Sequence, residues 1–296
     1  MTATVAEPVT MPAAGARPAS LLRRALRLGR TRIGVGLVLV LVLIALVGPH
    51  VAPHTASDFV GPPNTGPGDG QPLGTDYLGQ DVWSRFLLGG QSILATAVLS
   101  TAVGLLVGVG IGLVAAYARN ALDDVLMRAL DVLMAFPQIM LALVAVAVVG
   151  AHAWVIVLAI AITTAPRVAR VTRAAAQPVV ERDFIASAEA LGLSRTRILL
   201  GELLPNILSP LLVEASLRLT YSIGVIASLA FLGLSSDPNG ADWGVMIQQN
   251  RIALTVQPWG VVTPVLAIAL LTMGTGLIGD GISRAAAGID RARDAG

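Results

Sequence analysis

The sequence predicts an all-α integral membrane protein with six transmembrane helices and with both termini in the cytoplasm. Of its 296 residues, 55% are hydrophobic and only 13% are charged, whereas a soluble domain has about 25% charged residues. Six segments are apolar over nearly the length of about 20 residues that a membrane-crossing helix needs. The arginines are concentrated in alternate connecting segments, which indicates the orientation.

The six predicted spans differ in how clearly the residues define them. The first is short at Ile33–Val47 and becomes long enough only when it is extended to Val51. The fourth is interrupted by Pro166 and Arg167, so its apolar part ends near Ala165. Buried core helices of a soluble protein can imitate one such segment, but not six in a chain with so little charge. The predicted spans are 33–51, Ser92–Ala116, Ala129–Gly150, Trp154–Val171, Ile207–Leu232 and Gly260–Ile278.

The arginines give the orientation because cytoplasmic loops carry the excess of Lys and Arg. With the N-terminus inside, the inner segments contain seventeen arginines and the outer ones contain only Arg85 and Arg251. Residues 1–32 then form a cytoplasmic tail whose first 20 residues, rich in Ala, Pro and Thr, are expected to be disordered. A cleaved signal peptide is the alternative for this region, but five further spans follow and no small-residue cleavage site ends the first one.

Two longer loops are predicted on the outer side. The loop over 52–90 begins with a stretch rich in Pro and Gly. Farther along, Thr75 and Asp76 can cap a short amphipathic helix on the outer membrane surface, although a plain connecting loop with an ordinary capped helix is an equal alternative. The apolar face of this helix would consist of Leu78, Val82, Phe86 and Leu87. In the second loop, around residues 233–258, Trp243 and Trp259 are residues that favour the membrane interface.

The cytoplasmic segment over 172–206 combines charges of both signs with an apolar helical face. That face consists of Phe184, Ile185, Ala188 and Leu191. Gly192 provides a turn, Ser194 can cap a second short helix, and Pro205 is expected to end it. A helix–turn–helix of this kind suits a groove on a soluble partner, and it suits equally a hairpin folded against its own bundle.

The composition excludes several kinds of chemistry. All twenty basic residues are arginine, so the lysine that a phosphate-binding P-loop requires is absent. The chain has no cysteine, and its three histidines, at 50, 54 and 152, form no cluster in the sequence. An integral-membrane enzyme would need convergent catalytic groups at one depth. A secondary transporter or channel, the other alternative, often contains paired inverted repeats, and none is evident here.

Two ionisable residues in the fifth span are candidates for the translocation path. Glu214 and Arg218 lie four residues apart, so they share one helix face and can pair. Charged residues inside a membrane span are costly and are often functional. Mutual neutralisation, or contact with a companion subunit, is the alternative favoured for this pair. Asp131 is expected to pair with Arg128 or Arg119 at an interface.

Five sequence blocks, taken together, resemble the C-type permease subunit of the dipeptide/oligopeptide/nickel ABC importer family. The segment over 183–206 resembles the EAA loop of such permeases, although Ala186 and Glu202 depart from the usual pattern. The similarity extends from about Leu21 to the C-terminus. The other blocks are GTDYLGQDVWSRFLLGGQSI at 74–93, DDVLMRALDVLMAFP at 123–137, FLGLSSDPNGADWGVMI at 231–247 and GLIGDGISRAAAGID at 276–290.

The resemblance implies a type I ABC importer (MetI-like) permease in a bacterial plasma membrane. Its core would be 91–281, followed by a cytoplasmic tail over 282–296. Coupling to the ATPase would fall to the EAA-like residues Ser187, Ala188, Glu189, Ala190, Gly192, Leu204 and Pro205. The outer side, facing the substrate-binding protein, would include Gly74, Thr75, Asp76, Gly79 and Asp81.

The resemblance also implies partners and cargo. The partners would be a homologous B-type permease, two ATPase subunits or one fused ATPase, an extracytoplasmic substrate-binding protein and membrane lipid, without nucleic acid. The chain itself would bind no cofactor, since ATP and magnesium would lie on the ATPase subunits. Dipeptides or oligopeptides are the expected cargo, and nickel chelates, glutathione or opines are the alternatives.

Overall fold

The computed structural model describes residues 18–68, 70–118, 121–237 and 240–287, and helices account for most of them. Most of the predicted N-terminal tail, at 1–17, and the end of the predicted C-terminal tail, at 288–296, lie outside the described residues. Twelve α-helices occur in the described ranges, with a π-helical turn at Ile198–Leu203 and a 3-10 turn at Arg251–Ala253. The α-helices are α1 Pro18–Ala25, α2 Gly29–Val51, α3 Val82–Ala118, α4 Ala121–Met134, α5 Gln138–Val149, α6 Ala153–Val180, α7 Asp183–Ala190, α8 Arg195–Arg197, α9 Leu204–Asn206, α10 Leu208–Phe231, α11 Trp243–Asn250 and α12 Trp259–Ala287.

Five of these helices are long and apolar enough to cross a membrane, namely α2, α3, α6, α10 and α12. Helices α4 and α5 together are the candidate for the third span in chain order, and they are bent by 79° relative to each other. The span predicted over Ala129–Gly150 is therefore present as a bent pair that begins earlier, at Ala121. Pro137 lies at the break, where it lacks a backbone N–H to donate and disfavours helical backbone in Phe136 before it.

Three spans, α3, α6 and α12, extend furthest beyond the apolar pattern. Helix α3 begins ten residues before the predicted start at Ser92, and α12 continues to Ala287. Helix α6 passes through Pro166 and Pro178 and ends only at Val180, so the inner segment predicted over 172–206 begins within a helix. Hydropathy marks where a helix meets lipid, whereas backbone hydrogen bonding continues the helix into the aqueous layer.

Helices α3 and α6 pack closely because glycines on α3 recur every fourth residue. A Cβ atom on Gly108 would lie 2.6 Å from the Cβ of Val168 and 2.7 Å from the carbonyl oxygen of Ala165. Gly104 and Gly112 are similarly close to α6. Small residues at this spacing allow two membrane helices to approach until their backbones touch.

Two groups of buried apolar residues lie at opposite ends of this helix pair. The outer group joins α3, α6, α10, α11 and α12 and includes Phe86, Ile160, Trp243 and Leu271. The inner group joins the ends of α3 and α6 to the cytoplasmic segment through residues such as Leu113, Ala176, Ile185, Ile198 and Leu203. The outer loops and the inner segment are therefore both packed on the same two helices.

We expect Gly108→Ala to destabilise the protein by about 1–3 kcal/mol, because the added methyl group requires α3 and α6 to move apart. Gly110 is a matched control on the same helix, since no atom lies within 4 Å of a Cβ placed there. Thermal unfolding of the purified protein in detergent measures the effect. Equal melting temperatures for Gly108→Ala and Gly110→Ala would contradict the close contact.

Candidate functional site

The cytoplasmic segment is anchored on one side and exposed on the other. In α7, Ile185 and Ala188 are buried in the inner apolar group, which also contains residues of α3, of α6 and of the π-helical turn. Phe184 is more exposed, and Leu191, directly after the helix, is 80% exposed. The four residues of the predicted apolar face are thus divided between the bundle and the solvent. The segment packs on its own bundle and still presents apolar side chains outward.

A tight turn joins α7 to the next helix. Gly192 has a φ of +74°, a conformation that strains residues with a side chain. The N–H of Gly192 donates to the Glu189 carbonyl at 2.9 Å, and the N–H of Leu193 donates to the Ala188 carbonyl at 3.1 Å. This pair of hydrogen bonds is the Schellman arrangement that ends many helices. The turn predicted at Gly192 is present.

The second half of the segment differs from its prediction. Ser194 precedes α8, but its side chain makes no capping hydrogen bond. Pro205 does not end the helix, because it occupies the first turn of α9, where a missing N–H is tolerated. A π-helical turn over Ile198–Leu203 precedes it, and the helical path is interrupted only at Ile207, with φ −110° and ψ 9°.

The remaining EAA-like positions lie in one short stretch. Ser187 and Glu189 are exposed, as are Ala190 and Pro205, while Leu204 is partly buried. The Ser187 hydroxyl donates to the Asp183 carbonyl at 2.9 Å within α7. Glu189 Oε1 accepts a hydrogen bond of 2.7 Å from the Tyr117 hydroxyl. This bond connects α7 to the end of α3.

The predicted amphipathic helix in the first outer loop is absent. Helix α3 begins at Val82, after Leu78, and the residue that caps it is Asp81 rather than Thr75 or Asp76. Asp81 Oδ2 accepts 3.0 Å and 2.5 Å hydrogen bonds from the backbone N–H and hydroxyl of Ser84. Three of the four residues of the predicted apolar face, Val82, Phe86 and Leu87, are buried in the first turns of α3.

Thr75 and Asp76 instead stabilise the loop from within. Both side chains are fully buried. Asp76 Oδ1 accepts hydrogen bonds of 2.9 Å from the N–H groups of Leu78 and Gln80. The Thr75 hydroxyl donates to the Pro62 carbonyl at 2.6 Å. Gly74 and Gly79, the other predicted residues of this block, have positive φ angles of 73° and 81°.

Arg85 connects the two outer loops, a role that its sequence position did not reveal. Its side chain is 1% exposed and forms an ion pair with Asp76. It also donates hydrogen bonds to the Gln249 Oε1 at 3.0 Å and to the Gly240 carbonyl at 3.2 Å. The only sequence signal was an arginine among apolar residues close to several carboxylates. Its distant partners, more than 150 residues away, gave no local pattern.

Trp243 is part of the core, so its predicted position at the membrane interface is wrong. Its side chain is fully buried, its ring stacks on Phe86 with centroids 5.6 Å apart, and its Nε1 donates to the Phe86 carbonyl at 2.9 Å. Asp242 caps α11 just before it, accepting from the N–H groups of Gly244 at 2.8 Å and Val245 at 3.3 Å. Burial raises the pKa of Asp242, and these bonds offset part of the increase.

Glu214 and Arg218 lie together in α10, with 2.9 Å between Oε1 and Nε, and both side chains are largely buried. The guanidinium carbon of Arg218 also lies 5.9 Å from the ring centroid of Tyr221. Asp131 has a different partner from the two predicted, because it pairs with Arg170 of α6. Of the predicted partners, Arg119 lies outside the described residues.

The comparisons with known proteins agree with the fold. Residues 108–287 match the family model described as binding-protein-dependent transport system inner membrane component. The chain is 36% identical to the glutathione transport system permease protein GsiD of Pectobacterium atrosepticum, over 83% of this chain and 82% of that protein. It is also 36% identical to a protein of Brucella suis biovar 1 that is named as a peptide transport system permease, over 92% and 93% of the two chains.

A similar fold occurs in a solved structure of the MetNI methionine ABC transporter in an inward-facing conformation. The TM-score is 0.54 at 20% identity, and the match covers 68% of this chain and 96% of that one. At this identity the similarity concerns the fold alone. It confirms the MetI-like permease architecture.

We expect Arg85→Gln to destabilise the protein by about 3–5 kcal/mol, because it leaves the buried carboxylate of Asp76 without its cation. Arg251→Gln is the matched control, since Arg251 is exposed on the same side. It should change stability by no more than about 0.5 kcal/mol. Thermal unfolding measures both, and an Asp76→Asn/Arg85→Gln double variant should recover part of the loss. Equal effects of the two arginine substitutions would refute the buried connection.

We expect Asp242→Asn to remove one component of the pH dependence of stability. Because burial raises the pKa of Asp242 above 3.8, the folded state holds this proton more tightly than the unfolded chain. The contribution of Asp242 is therefore present at low pH and is lost as pH rises through the raised pKa. Asparagine keeps the accepting oxygen without the charge. The melting temperature of the variant should therefore rise relative to that of the unmodified protein as the pH increases above about 4. A difference between the two melting temperatures that does not change with pH would contradict this.

Proposed function

From the premise that this chain belongs to the binding-protein-dependent transport system inner membrane component family, we propose that it forms half of the translocation path of an ATP-driven importer of short peptides. The observation that carries the coupling role is the division of α7 between buried and exposed residues. Ile185 and Ala188 fix the helix on α3 and α6, while Leu191 and Phe184 remain available to another protein.

The proposed mechanism is mechanical. Two ATPase subunits, or one fused ATPase, would receive the exposed side of α7 in a groove and close when they bind ATP. A helix that is buried on one side and hydrogen-bonded to Tyr117 on the end of α3 would transmit that displacement to the α3–α6 pair. Movements of this kind proceed by small shifts of packed helices rather than by bending within one. A homologous second permease would supply the other half of the path.

The outer side would receive cargo from a substrate-binding protein. Here the loop over 52–81, the start of α3 and α11 form one layer, which Arg85 and Trp243 hold together. The polar residues of the Gly74–Asp81 block point into this layer. They would therefore hold the loop in shape for docking and would not contact the binding protein themselves. A rigid outer layer gives a binding protein a fixed surface to meet.

Short peptides are the cargo that the relatives favour. One is named for glutathione, which is a tripeptide, and another for peptides. Both are similar to this chain over four-fifths of its length or more. Uptake of labelled dipeptides, tripeptides and glutathione by liposomes that contain the whole importer tests the assignment. ATP-dependent accumulation of at least one of them supports it, and an assembled importer that moves none overturns it.

We expect Leu191→Glu to prevent co-purification of the ATPase, because a charge at this exposed apolar position opposes docking in an apolar groove. Ile252→Glu is the matched control. Ile252 is 87% exposed and Leu191 is 80% exposed, but Ile252 lies in the outer loop. Neither change should lower the melting temperature of the permease alone by more than a few degrees. Retention of the ATPase by the Leu191 variant would refute this docking site.

A further inference from the structure

Three arginines of α6 lie at three-residue intervals, and two of them pair with α4. Arg173 makes a two-pronged contact with Asp123, with Nε–Oδ1 at 2.6 Å and Nη2–Oδ2 at 2.5 Å. Arg170 pairs with Asp131. The structure assigns no acidic partner to Arg167 within the described parts of the chain. Arg167 is exposed.

Arg167 lines a cavity where the third span is broken. The cavity has a volume of about 350 Å³ and lies between the α4–α5 break, α6 and α10. The residues that line it include Arg167, Tyr221 and Gln138, and the amide of Gln138 donates to the Thr163 carbonyl. No carboxylate lines it. The cavity therefore has hydrogen-bond donors and a positive charge without an anion.

The depth of Arg167 limits what it can face. It lies fourteen residues after Ala153 at the outer end of α6, which is about 21 Å at 1.5 Å per residue. That distance places Arg167 towards the inner edge of a hydrocarbon layer of about 30 Å, in agreement with its place among the inner arginines. A guanidinium there is unfavourable against lipid, so Arg167 faces water, the inner interface or a polar group of another chain.

We propose that Arg167 binds the C-terminal carboxylate of a peptide as it crosses the membrane, with Tyr221 and Gln138 as neighbouring donors. This inference rests on the proposed function. Arginine suits the role because its planar guanidinium can bind both oxygens of a carboxylate at once. Arg170 and Arg173 are unsuitable, because Asp131 and Asp123 already occupy them.

The neighbouring ion pair of Glu214 and Arg218 in α10 limits how strongly the cavity binds a carboxylate. Arg218 lies against the ring of Tyr221, but Glu214 neutralises most of its charge. A second free cation would hold an anion too firmly for release, since conduction requires sites that bind cargo only weakly. One unpaired arginine supplies attraction that is sufficient to desolvate the carboxylate but still reversible.

The test compares a labelled tripeptide with the same tripeptide amidated at its C-terminus, in liposomes containing the whole importer and its binding protein. For each peptide, uptake by a variant is divided by uptake by the unmodified importer. The preference of the binding protein for one of the peptides therefore cancels. Loss of one charge-assisted hydrogen bond corresponds to about tenfold or more. We therefore expect Arg167→Gln to reduce uptake of the free acid at least about tenfold more than uptake of the amide.

Two further variants separate this role from a structural one. Arg170→Gln, one turn away and already paired, should change uptake of both peptides by the same factor. Arg167→Lys keeps the charge without the planar two-pronged geometry, so it should restore only part of the uptake of the free acid that Arg167→Gln loses. Co-purification of the ATPase shows that each variant assembles.

The other outcomes overturn the proposal. Equal losses for both peptides in Arg167→Gln would mean that the arginine pairs with an acidic residue of the companion permease. Unchanged uptake of both peptides would remove Arg167 from the path. If the unmodified importer assembles but moves neither peptide, the peptide assignment itself fails, and this result is distinct because it does not depend on any Arg167 variant.

Discussion

The close contact between α3 and α6 is the interaction on which the rest of the structure depends. Gly104, Gly108 and Gly112 bring the two backbones together, and no larger side chain fits in their place. At its outer end α3 carries Arg85, which joins the two outer loops, and at its inner end it carries Tyr117, which bonds to α7. A shift in the spacing of this pair would therefore alter both sides of the membrane.

The distribution of charge follows from the low dielectric of the membrane and of the protein interior. An isolated charge there is costly, so buried ions are paired or hydrogen-bonded. Arg85 with Asp76, Arg173 with Asp123 and Arg218 with Glu214 all follow this rule. Arg167, which is exposed, has no acidic partner among the described residues, and it lines the cavity at the break in the third span.

The broken third span gives the inner half of the protein its shape. The 79° bend lies beside a cavity that residues of the break, of α6 and of α10 line. Irregular backbone at membrane depth is tolerated only where protein or water, rather than lipid, surrounds it. The break therefore identifies a side of α4 and α5 that we expect to face protein or water rather than lipid.

Local patterns in the sequence were enough to predict the helical class, the approximate positions of the spans and the turn at Gly192. These features depend on local properties, namely hydropathy over about 20 residues and a glycine where the chain turns. The orientation inferred from the arginines stays a prediction. Only the tertiary structure decided that Trp243 is buried, that Arg85 pairs with Asp76 and bonds to Gln249, and that Asp131 pairs with Arg170. Most of these partners are far apart in the chain, and helix packing rather than local pattern brings them together.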